Sequence, residues 1–195
     1  MIRDKIARVI STLFVPPSFT LIIFSIFAFQ LETEQIKTII TILVATVFGF
    51  LAPIILFLKF RKKGLIVDLD ASVKEERTVP MAISLSLFII GMIILIIFKI
   101  NIISIAFWFC YISNTLITIL INKHWKISAH TMGAAGPFAA LLFVFGPTAL
   151  LFTILTILVG WSRIQLKCHT QAQVLAGGVL AFLSTYLQIF IITKI

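Results

Sequence analysis

The sequence is divided into long uncharged apolar stretches, each close to the length of one membrane crossing. Four of them cover residues 9–29, 38–58, 81–98 and 101–122. A helix crosses a hydrocarbon core about 30 Å thick with about 20 residues. Because no water is present to bond the backbone inside a bilayer, a lone apolar segment must satisfy its peptide groups within its own helix. The pattern therefore predicts at least four transmembrane helices.

Two further stretches raise the predicted count to seven. Residues 131–162 form an uncharged run of about 32 residues, too long for one upright crossing, with Gly146-Pro147 at its middle. Gly and Pro together favour a turn, so we divide this run there into two short helices. A last uncharged run covers residues 170–193. We expect an all-α fold, a polytopic transmembrane helical bundle of about six to seven helices, as a single integral membrane domain over residues 1–195.

The composition agrees with a membrane protein and argues against a nucleic-acid-binding one. Mean hydropathy is +1.17 and only 12% of residues are charged, about half the share usual in soluble proteins. The net charge of +9 comes from cations at the ends of apolar stretches, where they orient the chain and meet anionic lipid headgroups. Cys110 and Cys168 have no zinc or redox spacing. We therefore expect membrane lipids, and no nucleic acid, as partners.

The amino-terminal residues resemble a signal peptide, with basic residues followed by an apolar run. Pro16-Pro17 interrupts that run, and no small-residue cleavage site follows it. We predict an uncleaved first span.

The turn at Gly146-Pro147 decides which polar residues can meet. As one straight helix, the segment between His130 and His169 would separate them by roughly 40 Å or more. Divided in two, it returns both histidines to one side, together with the loops around residues 59–80 and 122–130. Of the sixteen Lys and Arg residues, three lie on the opposite side: Lys37, Lys99 and Lys194. By the positive-inside rule, these histidines face the cytoplasm, and we predict a location in the cell (inner) membrane.

The polar residues on that side are suited to phosphate chemistry. Cleaving a phosphate monoester requires cations for the phosphoryl oxygens, a nucleophile and an acid for the departing alcohol. The candidate cations are Arg163, Lys74 and Arg77. Ser128 offers a hydroxyl, and the Ala129 and His130 amides open a helix as an anion site. His169 and His130 have ordinary pKa values of about 6.5, so one can act as nucleophile and the other as acid.

At these residues the sequence resembles the type 2 phosphatidic acid phosphatase (PAP2) superfamily, over roughly residues 60–185. The family's motifs are Lys-x6-Arg-Pro, Pro-Ser-Gly-His and Ser-Arg-x5-His-x3-Asp. The third is matched by Ser162-Arg163 and His169, with Gln173 in place of the aspartate. The second appears as Ile127-Ser128-Ala129-His130. The first is loose: Arg77 matches, its proline comes later as Pro80, and Asp70 stands where the lysine should be, which leaves Lys74 as a shifted substitute.

The resemblance implies a PAP2-like core and a lipid-phosphate phosphatase that needs no metal or other cofactor. It implies that His169 attacks phosphorus to form a phosphohistidine, that His130 protonates the leaving group, and that Arg163, Arg77 and Ser128 hold the phosphoryl group. The implied substrates are phosphatidate, phosphatidylglycerophosphate and polyprenyl (di)phosphate. A Gln173 carbonyl can accept the hydrogen bond that the aspartate accepts, but it supplies no negative charge. Slower turnover is one consequence; another is that a nearby carboxylate supplies the charge, from Asp68, Asp70 or Glu76.

Two other interpretations stay open. A catalytically weakened chain would bind or transport a lipid phosphate through Arg163 and the histidines. Asp68-x-Asp70 faintly resembles the Asp-rich motif of UbiA-type prenyltransferases, although seven spans are too few for that fold and a second such motif is absent. Asp68 and Asp70 alone are a weak magnesium site, because a hard cation takes about six oxygens. The sequence leaves the lipid and the oligomeric state open.

Overall fold

The computed structural model describes residues 2–71 and 73–194. The regular structure in this part of the chain is all helical: 83% of it is helix, and it has no strand. In chain order the elements are α1 (Ile2–Leu13), α2 (Pro16–Leu31), α3 (Gln35–Val44), a π-helix (Ala45–Leu51), α4 (Ala52–Lys62), a 3-10 turn (Glu75–Arg77), α5 (Thr78–Ile97), α6 (Ile102–Asn122), α7 (Ala129–Phe145), a second 3-10 turn (Gly146–Leu151), α8 (Phe152–Gln165) and α9 (Gln171–Ile192).

The predicted all-α membrane fold is supported by the lengths of these helices. Five helical stretches are long and apolar enough to cross a bilayer, and a sixth is added if α1 and α2 form one bent span. The five cover Gln35–Lys62, Glu75–Ile97, Ile102–Asn122, Ala129–Gln165 and Gln171–Ile192.

The longest stretch, Ala129–Gln165, folds back on itself as predicted. Gly146 has φ +62° and ψ −146°, a conformation that ends α7 and that residues with a Cβ rarely adopt. At the far ends of the pair, a Cβ added to Gly160 on α8 would lie 4.0 Å from Thr131 Cγ2 on α7. These residues are about 30 positions apart and would be separated by roughly 40 Å in a straight helix. The chain therefore turns at Gly146-Pro147, and α7 and α8 pack as an antiparallel pair.

The first predicted span, residues 9–29, is corrected by the structure. Instead of one helix, α1 and α2 meet at an angle of 53°. The break precedes Pro16 and Pro17, which occupy the first turn of α2, where a missing N–H group leaves no hydrogen bond unmade. The bend directs α1 against α8. This packing carries the polar face of α1, with Arg8 and Ser11, to the end of the bundle that holds the histidines.

An aromatic cluster on α2, α5 and α6 fills the middle of the bundle. Phe24 stacks on Phe107 with ring centroids 5.1 Å apart and meets the edge of Trp108 at the same separation. The Trp108 indole N–H donates to the Phe88 carbonyl oxygen at 2.7 Å, which satisfies its polar atom inside the core. This packing fixes α5 and α6 against α2.

The loops separate into two groups at opposite ends of the bundle. One end brings together α1, residues 63–71 and 73–77, residues 123–128 and residues 166–170. At the other end, Glu32 Oε1 accepts a hydrogen bond from the Asn101 backbone N–H at 2.8 Å. The sequence-predicted site residues therefore lie at the first end, which we call the polar end.

Candidate functional site

Arg163 lies in the last turn of α8, with its side chain fully buried at 0% exposure. Its Nη1 donates to Asp70 Oδ1 at 2.6 Å and to the Ser11 hydroxyl of α1. Its Nε and Nη2 are buried and make no hydrogen bond to any residue that the structure describes. A buried donor without an acceptor costs roughly 1–3 kcal/mol. Two of the three guanidinium nitrogens therefore have no acceptor among the described residues.

Asp70 supplies the negative charge beside Arg163. Its Oδ2 accepts a second hydrogen bond from Arg8 Nη1 at 2.8 Å, so one carboxylate bridges α8 and α1. Burial alone raises the pKa of Asp70, but hydrogen bonds from Arg8 and Arg163 and their positive charges bring it down to about 2. The carboxylate is therefore ionised at neutral pH. It occupies the place that an anionic ligand would take, at the sequence position where the resemblance expects a cation.

Arg77 is also buried, with 6% of its surface exposed, and it joins two loops. Its Nε donates to the Ala71 carbonyl oxygen at 2.7 Å and its Nη2 to that of Asp70 at 3.3 Å. Its Nη1 donates to the Ile127 carbonyl oxygen at 3.4 Å. Arg77 thus holds the loop that carries Asp70 against the residue that precedes Ser128.

His169 is placed by the turn between α8 and α9. Its backbone N–H donates to the Arg163 carbonyl oxygen at 3.3 Å, and its Nδ1 lies 3.2 Å from Gln173 Oε1. Gln173 Oε1 also accepts from the Thr170 backbone N–H at 3.1 Å, in a capping box at the start of α9. An oxygen in this position requires the hydrogen on Nδ1, which leaves the lone pair on Nε2. The expected acceptor role of Gln173 is therefore compatible with the geometry.

The electrostatic surroundings keep His169 neutral. Burial lowers the pKa of its imidazole, and the positive charges of Arg77, Arg163 and Lys126 lower it further, to about 3. The hydrogen bond that His169 donates to Gln173 Oε1 raises the pKa but is outweighed. A neutral imidazole with a free Nε2 is the form that can act as a nucleophile.

Residues Ser128, Ala129 and His130 form the amino-terminal end of α7. The Ser128 hydroxyl accepts from the Thr131 N–H at 3.4 Å and shares a hydrogen bond with the Thr131 hydroxyl at 2.9 Å, so it caps the helix. Ser128 is fully buried. Its hydroxyl oxygen therefore accepts a helix-capping hydrogen bond, and its expected contact with a phosphoryl group stays a prediction. Ala129 and His130 are half-buried, and His130 interacts electrostatically with Arg163 and His169.

The two lysines near the site differ in position. The Lys74 ammonium donates to the Lys123 carbonyl oxygen at 2.9 Å and lies 3.5 Å from Glu75, at the rim of the polar end. Lys126 instead donates to the Cys168 carbonyl oxygen at 2.8 Å, beside His169. Burial lowers the pKa of Lys126, as do the charges of Arg77 and Arg163. Lys126 thus contacts the residue that precedes His169, whereas Lys74 contacts Lys123 and Glu75.

The carboxylates proposed to assist His169 make hydrogen bonds to other residues. The Asp70 carboxylate bonds the two arginines, and Glu76 Oε2 accepts from the Val67 backbone N–H at 3.0 Å. Asp68 Oδ1 accepts from the Asp70 backbone N–H at 2.8 Å. Within residues 2–71 and 73–194, no group of three or more His, Cys, Asp or Glu residues could hold a metal ion.

Arg8 and Ser11 are the site residues that sequence reasoning missed. They are three positions apart, so they share one face of α1, and both contact the Arg163–Asp70 pair. The sequence feature that could have identified them is a polar pair on one face of an amphipathic helix. Their contact with Asp70 and Arg163 depends on the bend before Pro16, which local sequence does not set.

Comparison with protein-family models, with curated proteins and with solved structures finds no match.

Proposed function

We propose that this protein is a membrane lipid-phosphate phosphatase that acts through a phosphohistidine at His169. The observation that carries the proposal is one pairing: a neutral imidazole with a free Nε2 and a buried guanidinium with two unpartnered nitrogens. Three further cations, Arg77, Lys126 and Arg8, surround this pair. Positive charge fixed in a low-dielectric site is what a transferring phosphoryl group requires.

In the proposed reaction, the phosphate of a lipid enters between Arg163 and His169. The unpartnered Nε and Nη2 of Arg163 donate to its oxygens, and Lys126 balances the remaining negative charge. His169 Nε2 forms a bond to phosphorus while the bond from phosphorus to the lipid oxygen breaks. His130 gives its proton to that oxygen, and the lipid alcohol leaves. Water then attacks the phosphohistidine, His130 takes up its proton, and inorganic phosphate departs.

The negative substrate also sets the protonation states that this sequence requires. Arg163, Arg77 and Lys126 disfavour a further positive charge while the site is empty, which keeps His169 neutral. A bound phosphate offsets those charges and favours a proton on His130. Binding of the substrate thus favours protonated His130, which is the form that acts as the acid.

Asp70 is the competitor of the substrate in this proposal. Its carboxylate holds Nη1 of Arg163 at 2.6 Å and repels an anionic phosphate at Nε and Nη2 of the same guanidinium. Asp70 also accepts a hydrogen bond from Arg8, which lies closer to solvent. The competition predicts weaker phosphate binding than a site with a cation at this position would have.

The proposed substrates are phosphatidate, phosphatidylglycerophosphate and polyprenyl (di)phosphate, reached by sideways diffusion in the bilayer. We also propose that the polar end faces the cytoplasm at the cell (inner) membrane, from the distribution of Lys and Arg. Cysteine labelling of residues 62–71 in intact cells tests this orientation: labelling only after the membrane is permeabilised supports it, and labelling in intact cells contradicts it.

Phosphate release tests the proposed activity. The protein purified in detergent with EDTA is expected to release inorganic phosphate from phosphatidate or farnesyl diphosphate. His169→Ala is expected to abolish release because it removes the nucleophile. His124→Ala is the matched control, since His124 is exposed and has no predicted role, and it should retain full activity. Equal activity in the two variants would overturn the mechanism.

A second function, binding or transport of a lipid phosphate without turnover, is favoured by one observation. Asp70 neutralises part of the Arg163 charge, and Gln173 supplies none to His169. Such a protein would bind phosphatidate in vesicles in a manner that depends on Arg163 while releasing no phosphate. Phosphate release that depends on His169 would show that the protein does more than bind or transport a lipid phosphate.

A further inference from the structure

The outward face of α1 is aliphatic, which is the reverse of the pattern on the surface of a soluble protein. Positions spaced by three or four residues share one face of a helix. Four such positions on α1 carry aliphatic side chains that are between 48% and 76% exposed: Ile2, Ile6, Val9 and Leu13. We call these four residues the outer stripe. A contiguous apolar surface of this kind is typical of a site that contacts a membrane or another protein.

The inward side of α1 is small and polar. Its buried residues are Ala7 and Ser11, and the Ser11 hydroxyl accepts a hydrogen bond from Arg163. Asp4 Oδ1 accepts from Gln165 Nε2 at 2.9 Å. The helix therefore directs polar groups toward the bundle and aliphatic groups away from it. Polar side chains within a membrane face the protein interior in the same way, so this orientation favours a lipid environment around the outer stripe.

The length and position of α1 place it at the boundary of the bilayer. Its 12 residues extend about 18 Å, well short of a 30 Å hydrocarbon core, and a bend of 53° separates it from α2. It packs on α8, which exposes Ile154, Ile157 and Leu158 and belongs to a stretch apolar enough to cross a membrane. The outer stripe therefore lies beside apolar surface that a bilayer covers.

The charges on α1 indicate which lipid it contacts. Arg3 and Lys5 are exposed, and at about 100° per residue they lie on the two sides of the outer stripe. The acidic residue of the helix, Asp4, is directed toward Gln165 instead. Long basic side chains keep their stems on apolar surface while the charged ends reach the headgroups. Aliphatic residues flanked by cations match a leaflet that contains anionic phospholipid.

We propose that α1 is an interfacial helix that binds the anionic phospholipid leaflet at the polar end. The outer stripe packs among the acyl chains, about 5–10 Å below the headgroups, and Arg3 and Lys5 pair with headgroup phosphates. This contact holds the inward side of α1 on the bundle, where Arg8 bonds Asp70. The proposal does not depend on phosphate chemistry at His169, so either proposal can fail alone.

Nitroxide labels on the protein in lipid nanodiscs locate the outer stripe. Ile6→Cys places a label in the stripe, Leu158→Cys on α8 gives the acyl-chain reference, and His124→Cys on an exposed loop gives the aqueous reference. The label at position 6 is expected to be reached by oxygen and protected from a water-soluble nickel complex, as on α8. Cys110 and Cys168 are buried, and wild-type protein carried through the same reaction measures their background labelling.

Two results of this measurement would overturn the proposal. A label at position 6 that matches the aqueous reference would place the outer stripe in water. A label reached by neither oxygen nor nickel would show that protein covers the stripe, such as a second copy of the chain. Val9→Cys supplies another position in the stripe if Ile6→Cys does not fold.

Lipid composition tests the role of charge. The label at Ile6→Cys is expected to lie deeper in nanodiscs of phosphatidylcholine and phosphatidylglycerol than in phosphatidylcholine alone, with a higher ratio of oxygen to nickel accessibility. Arg3→Gln with Lys5→Gln should abolish this difference. Lys62→Gln with Lys63→Gln removes the same charge from the exposed end of α4 and should retain it. Equal depth in the two lipids, or the same loss in both double variants, would contradict an anionic partner of α1.

Discussion

The two sides of the polar end are built in different ways. The side formed by α7, α8 and α9 places its groups at helix ends, with Ser128 capping α7 and Thr170 capping α9. The opposite side is the loop over residues 63–71, which has little regular structure and is held by side chains such as Arg77 and Asp70. The first side fixes His169 relative to Arg163, and the second brings the Asp70 carboxylate to the same guanidinium. In the proposed function, the helical side carries the reacting groups and the loop controls the access of phosphate to Arg163.

The largest effect on activity is expected from changing the Arg163 guanidinium on the helical side. Arg163→Lys keeps one charge but loses the planar set of donors, including the two that have no partner. We expect kcat/KM for phosphatidate to fall by a factor on the order of 100 to 1000, as for loss of a donor aimed at transition-state charge. Arg61→Lys, on an exposed residue at the end of α4, is the control. A loss below about threefold would remove Arg163 from the mechanism.

The pH dependence of stability tests whether His169 is buried in a cationic environment. The unfolded chain binds a proton at His169 near pH 6.5, but the folded protein binds one only near its lowered pKa of about 3. Between these values the unfolded state holds more protons, so stability falls as the pH is lowered from 7. From pH 7 to pH 5 the contribution of this residue falls by roughly 2 kcal/mol. Asp70, with its pKa lowered to about 2, stays ionised over this window.

Comparing wild type with His169→Gln in detergent isolates that contribution. The variant should lose less stability than wild type between pH 7 and pH 5, in unfolding monitored by circular dichroism. Parallel pH profiles for the two proteins would show that His169 is exposed to solvent.

Removing the Asp70 carboxylate from the loop side should strengthen phosphate binding, the opposite of the effect expected at Arg163. Asp70→Asn removes the carboxylate that pairs with Arg163 and Arg8, which lowers the unfolding midpoint in the absence of phosphate. Because phosphate no longer competes with a carboxylate, we expect its affinity to rise about tenfold. Titration of inorganic phosphate with thermal unfolding as the readout measures both effects. Weaker phosphate binding in the variant would show that Asp70 assists the ligand instead of competing with it.

The smallest effects are expected at the two lysines. Lys126→Ala should lower kcat/KM several-fold, since the ammonium lies beside Cys168 and His169 and is partly desolvated. Lys74→Ala should change it less than threefold, because an exposed pair with Glu75 contributes little. The two variants assayed side by side on phosphatidate give the ranking. The reverse order would restore Lys74 as the substrate ligand.

Much of the fold could be predicted because membrane helices are specified by local composition. The turn at Gly146-Pro147 was predictable from its two residues, and with it the return of His169 to the side of His130. The contact between His169 and Gln173 was also predictable, since these residues lie at the start of one helix. In each case the residues that determine the local structure are close in sequence.

The remaining features depend on contacts between distant parts of the chain. Pro16-Pro17 indicated an interruption, but the 53° bend and the packing of α1 on α8 involve parts of the chain that are far apart in sequence. Arg8 and Asp70 are 62 positions apart, so no periodicity links them. The Ser128 hydroxyl caps α7, and its expected role in binding phosphate stays a prediction. A hydroxyl in the motif does not reveal which partner it has.

Detection of a phosphoryl group on His169 tests the account most directly. The protein would be mixed with radiolabelled phosphatidate, quenched within one turnover in alkali, where phosphohistidine survives, and digested for mass spectrometry. The account predicts an acid-labile phosphoryl group on the peptide that contains Cys168 and His169, absent from His169→Ala. Turnover by the wild-type protein without such an adduct, or an adduct on another residue, would contradict it.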